Sequence, residues 1–494
     1  MERDKSTRRA EPSPMEMDKS TKQIRNNLAE RFWKAGSRSS FLLFLLLATA
    51  VFFEAAWLVY LTPTEADLIH YECYGLTFWL GSHGASLLPP ANCAFLFSPS
   101  SQPAVSQPAL HMLPLEYPPL TILPFSLPLL VPLPYYSLAF ALLMTLVAAL
   151  IFWLLVHSGA RQAAPIFLLY LVLGAAGVAQ ERFDLLPAAC TLICLLAAER
   201  ERWKTAYVAL ALGTLLKFYP LAMLPALFLA EQHTWLEAQG YTSAPGLWFA
   251  QIWRSVRHWR WRNCLLFVAL VIGVTGGFAL LNYQEAVVSP LSYFLQRPLQ
   301  VEAPVSSVIW LGSHFGAPYS INFGYGSLNL ESRLLGLISP VDTLLSLAGI
   351  LAVLWSQWRG RIDFTQAMVE LVCILITTGK VFSPQYLIWL LPLLAYLYAR
   401  GKTNRVWMLC WAVISLLTNF IYIFYYSRLT NPQTDPQVLA TLPGFFTVVA
   451  LRNALLVCTT LVFLAGWWGV RQLPAHHTSG EAHSVNFVTA CKKR

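Results

Sequence analysis

The sequence predicts an all-α, polytopic membrane protein with about twelve transmembrane helices and two long external loops, and three observations predict it. Hydrophobic residues make up 56% of the 494 residues and charged residues only 12%, roughly half the charged share of a soluble domain. Apolar runs of about 15 to 25 residues recur to the C-terminus, long enough for helices that cross a bilayer. Clusters of Lys and Arg fall between alternate runs, and the positive-inside rule assigns most of them to one side. The short alternating segments of a transmembrane barrel are absent. The net charge of +9 therefore reads as loop topology and not as affinity for nucleic acid.

Residues 1–40 are polar and basic, which predicts a disordered cytoplasmic tail ending in an amphipathic surface helix. Span 1, about Phe41 to Leu61, leads out; no small-residue cleavage site follows it, so it reads as an uncleaved anchor. The first external loop, 62–134, carries a Pro/Ser/Gln-rich middle from Leu87 to Leu113. It closes on Leu120 to Pro132, where Pro124, Pro128 and Pro132 predict an interfacial segment and not a spanning helix.

Span 2 runs from Tyr135 to His157, span 3 from Ala163 to Ala179, span 4 from Leu185 to Ala198, span 5 from Thr205 to Leu216 and span 6 from Leu221 to Ala230. Spans 4 to 6 are short for a hydrocarbon core of about 30 Å unless their flanks are helical too. Span 7, Cys264 to Leu281, opens the second external loop, 282–335. Spans 8 to 12 follow, at Leu337 to Gln357, Phe364 to Thr378, up to Tyr398, Val406 to Tyr426 and Phe445 to Val470. The plan is a catalytic transmembrane module over 41–400, C-terminal helices over 401–471 and a cytoplasmic tail at 472–494. No repeat of halves is visible, so nothing supports an inverted-repeat transporter. The nine cysteines show no metal-ligand spacing. Cys73 and Cys93 share one predicted external loop, and their spacing alone leaves a disulfide open.

Ionisable residues at the ends of apolar spans are candidates for function, with interfacial anchoring as the bland alternative. Asp67 stands just outside span 1 and reads either as a general base or as the N-cap of a helix over 68–80. Glu65 and Glu72 are near alternatives. His70 lies three residues on, near the same helical face, and either orients a substrate or is a satisfied surface histidine. Tyr71 adjoins it. Glu116 and Tyr117 precede Pro118-Pro119, a pair that also simply ends one element and begins the next.

Gln180 and Asp184 bound a polar turn between spans 3 and 4. Lys217, followed by Phe218, Tyr219 and Pro220, is a cation in an otherwise apolar stretch, suited to a phosphate or to a headgroup anchor. Arg297, Gln300 and Glu302 lie in the second external loop, where a plain solvated loop is the competing reading. Lys380, Gln385 and Tyr386 fall in the turn between spans 9 and 10. No Gly-rich phosphate cradle and no soluble nucleotide-binding domain is present. A reaction at the external face is thus best supplied by a donor delivered within the membrane.

The acidic residue after span 1, Tyr117-Pro118-Pro119-Leu120, the Gln180 to Asp184 turn, Leu216-Lys217-Phe218-Tyr219-Pro220, Arg297-Pro298-Leu299-Gln300-Val301-Glu302 and Lys380-Val381-Phe382-Ser383-Pro384-Gln385-Tyr386-Leu387-Ile388-Trp389 occur in one order. Over roughly 40–400 that set resembles the GT-C superfamily of polyprenyl-phosphate-sugar-dependent glycosyltransferases. It is most similar to glycosyltransferase family 87, the actinobacterial-type mannosyltransferases; the first mannosyltransferase of GPI-anchor synthesis is a more distant relative. The Gln-Glu-Arg-Phe-Asp turn departs from that pattern, in which Gly-Gln is followed by Val and Asn or Asp.

The resemblance implies an inverting transfer of a sugar, mannose favoured over arabinose, from a polyprenyl-phosphate donor to a glycolipid or glycan hydroxyl. Asp67 would be the base, Lys217, Arg297 and Lys380 would hold the donor phosphate, and His70, Tyr71, Glu116, Tyr117, Gln180, Asp184, Tyr219, Gln300, Glu302, Gln385 and Tyr386 would line the substrate. No metal or other cofactor is demanded. The implied setting is the external face of the plasma membrane, or the endoplasmic reticulum membrane in a eukaryote. The rival class is a transporter or flippase of lipid-linked sugars, which would carry its polar residues near mid-membrane.

Overall fold

The computed structural model describes residues 66–96, 110–175, 178–239, 259–429 and 436–469. The basic tail, span 1, the middle of the first loop and the C-terminal tail lie outside the described residues. The chain is mostly helical, as the composition requires. The first loop gives helix α1, Ala66–Leu80, then a 3₁₀ turn at Pro90–Leu96. The interfacial segment breaks into short pieces, Pro119–Thr121, Ile122–Ser126 and Leu127–Leu130, because each proline removes a donor and ends a turn.

The main bundle follows: α2 Tyr136–His157, α3 Ala163–Ala175, α4 Leu185–Ala198, α5 Trp203–Leu216, α6 Leu224–Ala238 and α7 Arg262–Ala279. The second loop holds α8 Ser289–Gln296, α9 Pro304–Ser313 and an antiparallel hairpin, β1 Tyr319–Gly324 with β2 Ser327–Ser332. The chain closes with α10 Leu335–Trp358, α11 Phe364–Thr377, α12 Gln385–Ala399, α13 Arg405–Phe420 and α14 Phe445–Gly469. The flank of span 6 is helical as far as Ala238, well past the run of apolar residues.

Among the described residues five helices are long and apolar enough to cross a membrane: Leu133–His157, Arg262–Ala279, Leu335–Trp358, Arg405–Tyr425 and Phe445–Gly466. Helices α7 and α10 keep only 6% of their apolar windows buried, with Leu265, Ile272, Leu344 and Leu351 exposed. Leucines in that position belong in lipid. The shorter helices occupy the interior. Helix α12 is buried on nearly every face, as expected of a helix that is hydrophobic all round. It packs on α3, α4 and α11, while α4 packs on α2 and α5.

A second, smaller core joins the hairpin to the C-terminal helices. Leu299, Val301, Ile321, Leu328 and Leu330 pack with Ile421, Tyr425, Leu439, Phe445 and Val449. The hairpin was not expected, although its signal is present. Ile321, Phe323, Leu328 and Leu330 flank a two-residue turn, Tyr325-Gly326, in which both residues have positive φ, 54° and 67°; that backbone suits the twist of a hairpin.

Helix α1 is held from two sides. Cys73 and Cys93 are bonded, with their Cα atoms 5.8 Å apart, which ties the 3₁₀ turn to α1. On the other side the backbone of α1 meets the Ile122–Ser126 helix so closely that a Cβ on Gly75 would lie 2.9 Å from the Phe125 carbonyl oxygen. Gly75→Ala is expected to lower stability by about 1–3 kcal/mol through overpacking. A fall in the thermal midpoint of the purified protein checks this, and an unchanged midpoint would mean the two helices separate freely.

Candidate active site

The site assembles where α1, the turns at 180–184 and 217–219, and the start of α12 meet. Helix α1 begins one residue before Asp67, so Asp67 lies in the first turn, where the helix dipole favours a carboxylate. Its Oδ2 pairs with an Nη atom of Arg182, and both side chains are largely covered. Arg182 belongs to the turn whose sequence departs from the family pattern.

Two residues on, Asp184 is the N-cap of α4 but makes no capping bond. Its Oδ1 instead accepts from Lys217 Nζ at 2.5 Å and from Trp389 Nε1 at 2.5 Å. Lys217 stands where α5 ends, in extended backbone with φ −156° and ψ 146°. It reaches Asp184 because α5 approaches α4 at Gly213, where a Cβ would lie 3.1 Å from that of Cys190. The ammonium sits over three rings, 4.9 Å from Phe183, 5.2 Å from Trp389 and 5.5 Å from Tyr117, an arrangement in which cation–π attraction adds to the ion pair. Burial lowers the Lys217 pKa, and Asp184 opposes the shift.

Trp389 is the platform of the site. Tyr219 stacks on it at 4.3 Å and Tyr386 at 4.1 Å. Tyr71 stacks on Phe125 at 4.1 Å and meets Tyr117 and Phe183 edge-on. Glu116 accepts from Tyr74 OH at 2.7 Å; burial raises its carboxyl pKa, and the Tyr74 bond opposes that rise. Arg297 lies within electrostatic reach of Glu116, Tyr117 and Tyr386, and its guanidinium faces the Tyr293 ring at 5.4 Å. Among the described residues Arg297 forms no ion pair. Several polar atoms here are buried without a partner, including Arg182 Nε, Asp184 Oδ2 and Arg297 Nε. Buried groups of this kind are normally satisfied, so these atoms have hydrogen-bonding capacity left for a polar ligand.

Two of the other sequence candidates, Glu302 and Lys380, go elsewhere. Glu302 is in the second core, paired with Arg452 at 3.2 Å, while Arg452 and Asn453 also donate to its backbone carbonyl. The Lys380 side chain is exposed, with Asp342 as its electrostatic neighbour. Its carbonyl accepts from Gln300 N at 2.9 Å, which joins the two loops through backbone. Gln385 starts α12 and accepts from Ser383 Oγ at 2.6 Å. Gln180 is buried in its turn, 1% exposed.

His70 faces Phe95 with ring centroids 3.7 Å apart, and burial lowers its pKa to about 4. Burial also raises the Glu72 carboxyl to about 7, and Glu65 lies outside the described residues. Arg182, Tyr74, Trp389 and Arg452 were not among the sequence candidates. Arg452 had a signal, a lone cation seven residues into an apolar span. Among the described residues no group of three or more His, Cys, Asp or Glu is placed to hold a metal ion.

Two outcomes follow from these environments. Arg452→Leu leaves Glu302 buried and uncompensated, which costs about 3–5 kcal/mol; a thermal melt reads this, and a normal melt would free Glu302 for a ligand-binding role. With its folded pKa depressed, His70 binds fewer protons than in the unfolded chain between pH 6.5 and about 4. Stability is therefore lost as pH drops through that window. The His70→Phe variant is expected to lose less of its thermal midpoint from pH 7 to pH 4 than the parent, and equal losses would show that the ring is solvated.

No protein-family model matches the chain, and no curated protein matches it. Among solved structures it is similar to the crystal structure of ArnT from Cupriavidus metallidurans bound to undecaprenyl phosphate, at 15% identity over 86% of this chain and 77% of that one, with a TM-score of 0.37. A likeness of that size carries no argument about fold or activity, which rest here on the chain's own residues.

Proposed function

We propose that the protein is an inverting glycosyltransferase of the GT-C type, moving a sugar from a polyprenyl-phosphate donor to a hydroxyl of a lipid or glycan acceptor. Mannose is the sugar to try first, on the motif resemblance. The observation that carries the reading is the convergence, beside apolar helices, of a first-turn carboxylate, three cations and a set of aromatic rings with buried polar atoms left open.

In the proposed reaction Asp67 takes the proton of the acceptor hydroxyl while that oxygen bonds to the anomeric carbon. The bond from that carbon to the phosphate oxygen breaks, and its electron pair leaves on the lipid phosphate. Stabilising that charge as it develops is commonly a large contribution to rate. Arg297 is the best placed cation for it. The Lys217 charge is matched by Asp184 at 2.5 Å, whereas Arg297 has no ion-pair partner among the described residues. Lys217 then acts as the counter-ion that keeps Asp184 and Trp389 in position. The Cys73–Cys93 disulfide supports an external or lumenal face for α1, since such bonds persist in oxidising compartments.

The test is transfer by the purified protein in detergent, from radiolabelled polyprenyl-phosphate-mannose to a crude membrane-lipid mixture. Asp67→Asn is expected to lose about 100-fold or more, the usual worth of a general base; full activity in that variant would remove Asp67 from the role. If no lipid-linked sugar of any kind donates label, the enzyme reading gives way to transport. Arg297→Ala is expected to raise the donor KM, while Lys217→Ala mainly lowers the thermal midpoint. The opposite pattern would return the phosphate to Lys217.

A further inference from the structure

Arg182 is placed to do two jobs that exclude each other. One of its Nη atoms pairs with Asp67. The Nε of the same guanidinium is buried with no acceptor. Arg182 also acts electrostatically on Lys217 and on Tyr386, the two groups that Arg297 acts on as well. Its unused donor therefore belongs to the neighbourhood in which the donor phosphate is proposed to sit.

The two ion pairs of the site differ in how firmly they are held. Asp184 is 1% exposed on its side chain and shares its Oδ1 between Lys217 and Trp389. Asp67 and Arg182 are 20% and 16% exposed, and no other hydrogen bond fixes the Asp67 carboxylate among the described residues. An arriving phosphate can offer Arg182 two oxygens, and a guanidinium binds two parallel oxygens more strongly than one. The pair with Asp67 is the one that can open.

We propose that Arg182 is a positioning residue that exchanges partners: it holds Asp67 in the empty site and moves to the phosphate of a lipid phosphate when one binds, which frees Asp67 to accept a proton. This rests on the glycosyltransferase reading above and goes beyond it. It makes the base available only once the donor is present, so the donor binds before the acceptor. Water reaching an empty site meets a carboxylate with one oxygen already engaged by Arg182.

Because the competition is reciprocal, it can be read by binding alone. Full-length protein in lipid nanodiscs is titrated with sugar-free polyprenyl phosphate. Asp67→Asn, which removes Arg182's charged partner and keeps its shape, is expected to bind about tenfold more tightly than the parent, within the usual range of coupling. Arg182→Gln is expected to bind more weakly, and the double variant to match Arg182→Gln, with the gain abolished. An affinity in Asp67→Asn equal to or below that of the parent overturns the exchange. A gain that survives in the double variant also overturns it, because lost negative charge would then explain the gain without Arg182. If Arg182→Gln does not fold, Arg182→Lys takes its place, with the gain expected to be reduced because the fork is lost; an undiminished gain there overturns the exchange. No binding of polyprenyl phosphate by the parent would instead remove the donor reading itself, and the exchange with it.

Discussion

A carboxylate 1% exposed at the end of an apolar helix needs a cation beside it to offset its burial, and Lys217 meets Asp184 at 2.5 Å. Much of the site's geometry follows from that requirement. Lys217 must leave α5 in extended backbone, α5 must approach α4 closely enough for the contact at Gly213, and the start of α12 must bring Trp389 to the same oxygen. Three chain segments far apart in sequence are thereby brought into register. The rings of Tyr117, Tyr219, Phe183 and Tyr386 then close around a position fixed by charge.

The second core applies the same physics to a different end. Arg452 would be an expensive residue in an apolar helix, yet it is satisfied by the carboxylate and carbonyl of Glu302, with Phe382 beneath it at 4.1 Å. This contact and the shared apolar cluster bind the loop over 282–335 to the C-terminal helices. The loop is thus a folded part of the protein, and through the bond from Gln300 to the Lys380 carbonyl it meets the turn that starts α12.

What was legible in the sequence follows from what composition can encode. Apolar runs gave the helices, and prolines gave the broken segment at 119–130. The ordered polar outcrops brought out Asp67, Asp184, Lys217, Tyr219, Arg297 and Tyr386, which do converge. The sequence could not say which charges meet. Arg182 was noted only as part of a polar turn, yet it pairs with Asp67. Glu302 and Lys380 sit in motifs as suggestive as that of Lys217, but their side chains turn to Arg452 and toward Asp342. Pairing between residues far apart in the chain is a property of packing, and no local pattern carries it. The disulfide was open for the same reason, since twenty residues of separation set no distance.

The helices that hold the site are short. Helices α4, α5 and α11 have 14 residues each and α12 has 15, against 24 for α10. At about 1.5 Å per residue the inner helices measure roughly 21 Å and α10 about 36 Å, around a hydrocarbon layer of about 30 Å. The inner helices are therefore shorter than that layer and α10 is longer than it. The charges at 184 and 217 stand at the ends of two of these short helices, so they need not lie at the level where the outer helices end.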